Sequence, residues 1–135
     1  MTAPLIDRLS DELNYPLLNL GNIDNFLSQN TLSVLFFTND TNRFPESLDV
    51  AVVLPELIAL FPDITPAVIA RDDEIKLQSL YGFRSWPALV FMKGNEYLGV
   101  ITGIQDWGDY LKDIPIILSS EPSRPHSIGI SVVTN

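Results

Sequence analysis

Apolar positions along this chain recur with two periods: every three to four residues where helices are expected, and in runs or alternation where strands are expected. Residues 4–13 set Leu5, Ile6, Leu9 and Leu13 at helical spacing among Asp7, Arg8, Asp11 and Glu12, an amphipathic first helix. Residues 15–19 read as a short edge strand. Asn22 is suited to cap a helix over 23–30 with Ile23, Phe26 and Leu27 as its inward stripe. Residues 32–37, Leu-Ser-Val-Leu-Phe-Phe, are continuously apolar, the pattern of a central strand covered on both faces. A polar loop over 38–46 leads to a long helix over 47–61, starting near Glu46 or Ser47, in which Pro55 predicts a kink. Pro62 and Pro66 delimit the connection to a short parallel strand over 67–70. Asp72 or Asp73 caps a helix to Leu80, and Gly82 ends it. Residues 88–92 form a buried strand, the turn Lys93-Gly94-Asn95 reverses the chain, and 96–101 return as its hairpin partner. A last helix over 103–119 places Trp107, Tyr110, Leu111, Ile114 and Leu118 on one side, interrupted by Pro115.

This order of elements is that of an α/β fold, a mixed central sheet with helices on both faces. One domain is expected over residues 1–120. Residues 121–135 form a tail, with 121–127 as linker and 128–133 either disordered or adding a strand to something else. Trp86-Pro87 stands at the mouth of the hairpin, and an aromatic residue before proline there favours a cis peptide bond.

Composition narrows the chemistry. The 135 residues are 46% hydrophobic and only 19% charged, a globular rather than a disordered balance. No apolar run approaches the roughly 20 residues of a membrane span, and the N-terminus lacks the basic and apolar regions of an export signal, so no membrane insertion is expected and the expected compartment is the cytoplasm. The absence of cysteine removes disulfides, thiolate metal sites and thiol redox chemistry together. The net charge of -9 disfavours nucleic acid and anionic membrane and favours a basic partner. The only histidine, His126, lies in the tail, leaving no hydrolase triad, and no glycine-rich phosphate loop occurs. No metal or other cofactor, and no catalytic constellation, is expected.

The run Tyr81-Gly-Phe-Arg-Ser-Trp-Pro-Ala-Leu-Val-Phe-Met-Lys-Gly-Asn95 closely resembles the thioredoxin-fold segment that carries the cis-proline before the C-terminal hairpin. Relative to the proline inside the long helix, the positions of the redox cysteine pair fall approximately at Ser47 and Val50, where neither residue forms a thiolate. The central strand also lacks the buried carboxylate of redox thioredoxins. Among thioredoxin-like chains without the pair, Phe61-Pro-Asp63, Ala70, the run from Tyr81 and Tyr97-Leu-Gly-Val-Ile-Thr-Gly-Ile-Gln-Asp-Trp107 resemble the HyaE/HupG family of hydrogenase expression proteins. The resemblance covers roughly residues 34–118. It implies a redox-inactive, non-enzymatic chaperone of [NiFe] hydrogenase maturation that binds the twin-arginine signal peptide of the small-subunit precursor before export. The alternative is a structural docking subunit that binds a folded partner. Whether the chain pairs with a second copy is left open.

The candidate site residues each have two readings. Trp86 and Pro87 form either a structural turn or the point where the residue before the cis-proline offers its backbone to an extended peptide. Asp40, Glu46 and Asp49 either meet arginines of that peptide or are solvated loop and helix-start carboxylates. Leu48 is an apolar contact for the peptide or a buried residue. Asp72, Asp73 and Glu74 read as a helix start whose charges favour the positive end of the dipole, and Trp107 reads as core.

Overall fold

The computed structural model describes residues 3–123. The expected linker over 121–127 is therefore described only at its start, and the expected strand over 128–133 lies outside the described residues.

Among the described residues five α-helices and five strands follow the expected order: α1 (Pro4–Asp11), β1 (Leu17–Leu18), α2 (Ile23–Gln29), β2 (Leu32–Phe37), α3 (Glu46–Leu60), β3 (Ile64–Ile69), α4 (Glu74–Tyr81), preceded by a 3-10 turn (Arg71–Asp73), β4 (Ala88–Lys93), β5 (Glu96–Thr102) and α5 (Trp107–Leu118). The sheet order is β1-β3-β2-β4-β5. β3 runs parallel to both β1 and β2, and β4 runs antiparallel to β2 and β5, so the sheet is mixed.

Alternation along the strands builds two cores. Val34 and Phe36 of β2, Val68 of β3 and Leu89 and Phe91 of β4 pack with Leu9 of α1, Val50, Leu54 and Leu57 of α3 and Tyr110 and Ile114 of α5. Leu35 and Phe37, Ala67 and Ile69, and Val90 and Met92 face the other way, onto Ile23 and Leu27 of α2 and Leu77 and Tyr81 of α4. A strand filling both cores has no solvent-facing side, which is why β2 reads as an apolar run interrupted only by the buried Ser33. α5 approaches β5 closely at Gly99, where an added Cβ would lie 3.2 Å from Ile117.

Several expectations need correction. β3 begins at Ile64, not at 67, and contains Pro66. The amides of Val68 and Ala70 point towards the β1 side, bonding Pro16 and Leu18 carbonyls, so the nitrogen of Pro66 faces the same side. β1 pairs only with Val68 and Ile69 and does not reach that far, so the missing N–H breaks no ladder. α5 starts at Trp107 because residues 103–106 turn: Gly103 has φ +71 and the Gln105 amide bonds the Tyr110 hydroxyl. Trp107 is 43% exposed and so is not core. Asn22 and Asp73 precede their helices without capping them. Asn19 instead accepts from the Gly21 and Asn22 amides, and Asp73 accepts from the Leu20 amide, tying the start of α4 to the chain after β1. Gly82 does close α4, at φ +76, where a Cβ is disfavoured.

Candidate functional site

Three chain ends converge beyond the C-terminal edge of β2. Thr38 and Asn39 follow β2, Pro87 precedes β4 across the Phe37–Ala88 pair, and α3 begins nearby at Glu46. The Trp86–Pro87 peptide bond is cis. Pro87 is buried and Trp86 half-buried. The indole packs against Phe83 at 5.5 Å and Phe44 at 5.8 Å between ring centroids, and Phe83 continues the contact to Phe37 of β2 at 4.8 Å. The Arg43 guanidinium lies 5.4 Å from the Phe44 ring. Trp86 is thus the outer member of an aromatic cluster rooted in the core. Among the described residues, its main-chain N–H and C=O enter no hydrogen bond, whereas the next carbonyl, of Pro87, accepts from Gly103.

Beneath the indole lies a carboxylate that sequence reading assigned to a helix start. Glu74 is 2% exposed. It accepts from the Asn39 amide at 2.9 and 3.1 Å, the Thr38 amide and hydroxyl at 3.3 Å each, and the Trp86 indole N–H at 3.2 Å. Arg71 Nε stands 4.0 Å away. Burial pushes the Glu74 carboxyl above its ordinary range, against the opposing pull of the Asn39 bond, the Arg71 charge and the Thr38 bonds. The central strand contains no carboxylate, but α4 delivers one to its end. A signal was present in the sequence: Glu74, Leu77 and Tyr81 share the inward stripe of α4.

The other sequence candidates separate. Glu46 and Asp49 are exposed on the first turn of α3, one turn apart, with Glu46 two residues after Phe44. Leu48 is half-buried. Ser47 is wholly buried and its hydroxyl donates to the Thr38 carbonyl at 2.5 Å, while Val50 is core. Asp40 turns back on its own loop, accepting from the Asn42 amide, and lines a crevice of about 190 Å³ with Ala3, Asp7 and Arg71. No hydrogen bond joins Asp40 to Trp86 among the described residues. Sequence reasoning missed Glu74, Phe44 and Phe83.

A second concavity, of about 780 Å³, lies at the far end of β4 between α2, α4 and the hairpin, lined by Leu27, Leu80, Met92 and the stacked pair Tyr81 and Tyr97. Burial, with Asp24 adding to it, pushes the Tyr81 hydroxyl up to about 12. Ser123 closes its rim by donating its amide to the Tyr97 carbonyl. The cavity contains none of the residues gathered around Pro87.

The Ser47 hydroxyl is committed to a carbonyl and sealed from solvent, and the groups left open are a main-chain pair, an aromatic face and two exposed carboxylates. No helix among the described residues is long and apolar enough to cross a membrane.

Residues 5–110 match the family model of hydrogenase-1 expression protein HyaE. Hydrogenase expression/formation protein HoxO of Azotobacter vinelandii is 52% identical over 121 residues, spanning 90% of this chain and 82% of that one. The crystal structure of hupG from Rhodopseudomonas palustris CGA009 aligns with a TM-score of 0.56 at 40% identity, covering 77% of this chain and 95% of that one. Mitochondrial thioredoxin 3 of Saccharomyces cerevisiae, with a TM-score of 0.62 at 20% identity over 77% of this chain and 96% of that one, shares the fold.

Proposed function

The chain belongs to the HyaE family of hydrogenase expression proteins, and we propose that it works there as a non-catalytic chaperone holding the twin-arginine signal peptide of the [NiFe] hydrogenase small-subunit precursor in the cytoplasm before export. The observation that carries this reading is Trp86. Among the described residues its main-chain N–H and C=O are unbonded beside the buried Pro87, and an extended peptide satisfies such a pair by strand-like hydrogen bonds. The half-exposed ring and Phe44 offer an apolar surface for the peptide's hydrophobic segment. Glu46 and Asp49, on the helix turn after Phe44, offer charge-assisted hydrogen bonds to arginine. The net charge of -9 attracts a basic segment from a distance. We assign peptide holding to residues 1–120.

Calorimetric titration with a hydrogenase small-subunit twin-arginine peptide tests this. Binding is expected to weaken at high salt, and to vanish when both arginines are replaced by glutamine. Arginine-independent binding, or none, defeats the reading.

A second reading rests on the open edge of β5, which Ser123 bridges at Tyr97. A folded hydrogenase subunit docking there is expected to lose its hold when residues 128–135 are deleted and to keep it in Trp86→Ala.

A further inference from the structure

Glu74 joins three segments that are distant in sequence. Its carboxylate takes the amides of Thr38 and Asn39 from the end of β2, belongs itself to α4, and takes the indole N–H of Trp86 from the approach to β4. Asn39 has φ +53, a left-handed turn that ends the strand and leaves its amide without a ladder partner. A buried carboxylate is expensive unless its oxygens are occupied, and here each oxygen accepts at least two bonds. The charged groups around it are few: Arg71 stands at 4.0 Å, Asp73 is turned to the Leu20 amide and Asp40 to the Asn42 amide.

We propose that Glu74 is the positioning residue of the docking surface, holding the Trp86 ring and the 38–39 backbone as one unit so that the main chain before Pro87 is presented in a single arrangement. This rests on the peptide-holding reading, and it assigns Glu74 no contact with the peptide. Glu74 is buried under the indole and acts through it. Its removal therefore lowers affinity without changing the salt dependence, which belongs to exposed carboxylates such as Glu46 and Asp49.

The test uses the full chain carrying Trp107→Phe, which leaves Trp86 as the only indole. The Trp86 Nε1–H resonance is followed by nitrogen–proton NMR against pH, with and without Glu74→Gln, and peptide affinity is then measured at two salt concentrations. The resonance is expected to titrate with Glu74 intact and to lose that titration in Glu74→Gln. Affinity for the twin-arginine peptide is expected to fall about tenfold in Glu74→Gln, with the salt slope unchanged, the scale of one lost charge-assisted hydrogen bond. An indole resonance that does not respond to Glu74, or a Glu74→Gln protein with wild-type affinity, overturns the proposal. Should Glu74→Gln fail to fold, Trp86→Phe removes the indole donor while keeping a ring, and unchanged affinity there overturns it equally. A wild-type chain that ignores the peptide defeats the peptide-holding reading and with it the docking role, while a titrating indole still establishes that Glu74 holds Trp86.

Discussion

The starts of α3 and α4 carry the same kind of residue and use it in opposite ways. Both have carboxylates in the first turn, Glu46 and Asp49 on α3 and Glu74 on α4. On α3 the inward stripe is Ser47, Val50, Ala51, Leu54 and Leu57, so Glu46 and Asp49 face solvent at the positive end of the helix dipole. On α4 the inward stripe is Glu74, Leu77 and Tyr81, so the acid itself enters the interior. What receives it there is the end of β2, where two amides have run out of strand partners. A carboxylate at a helix start is thus a surface charge or an internal junction according to helix phase and to the donors that lie opposite.

The contrast breaks most visibly at Glu74. Glu74→Leu leaves the Thr38 and Asn39 amides and the Trp86 indole without an acceptor, and is expected to cost about 3 kcal/mol in urea unfolding. A neutral result would mean that water serves those donors as well as the carboxylate does. Ser47→Ala, which removes the bond tying the start of α3 to the Thr38 carbonyl, is expected to cost about 1 kcal/mol in the same assay.

Acidity sharpens the comparison further. Because the folded state raises the Glu74 pKa above its ordinary 4.5, folding binds a proton more readily than the unfolded chain does. The stabilisation that comes from this shift is full below about pH 4.5 and is lost as pH rises through the folded value. The stability of the wild-type chain relative to Glu74→Gln should therefore decrease as pH rises through that window and be flat on either side. An increase across the window would show that the four donors outweigh burial.

The smallest effect on stability is expected at α3. Glu46→Gln with Asp49→Asn should change unfolding by less than about 0.5 kcal/mol, as exposed charges do. The same pair should weaken twin-arginine peptide binding and flatten its salt dependence. Equal salt slopes before and after would remove these two carboxylates from the docking surface.

Much of the architecture was legible because it is written in short-range periodicity. The run at β2, the stripe of Ile6 and Leu9 on α1 (though Leu5, expected with them, is exposed), the hairpin around Gly94 and the end of α4 at Gly82 each follow from residues within a turn or two of one another. The misplacements arise where a distant partner decides. Pro66 looks like a strand breaker, yet it is tolerated because β1 is too short to face it. Asn22 and Asp73 look like caps, yet Asn19 accepts from the Asn22 amide and the Leu20 amide donates to the Asp73 carboxylate. Trp107 shares the phase of Tyr110 and Ile114 but begins its helix beyond the edge of the core.

The same division runs through the candidate site. The absence of cysteine, the acidic balance and the Trp86-Pro87 step before a strand are properties of the chain itself, and they were enough to turn the reading from redox chemistry to binding. That Trp86 stands on Phe83 and Phe44, and that Glu74 grips its indole from below, was decided only by tertiary structure. Hydrophobic periodicity is a local property that a sequence displays directly, whereas the pairing of a buried acceptor with its donors depends on segments 12 and 36 residues apart being brought within about 3.3 Å. Folding the sheet is what closes that distance.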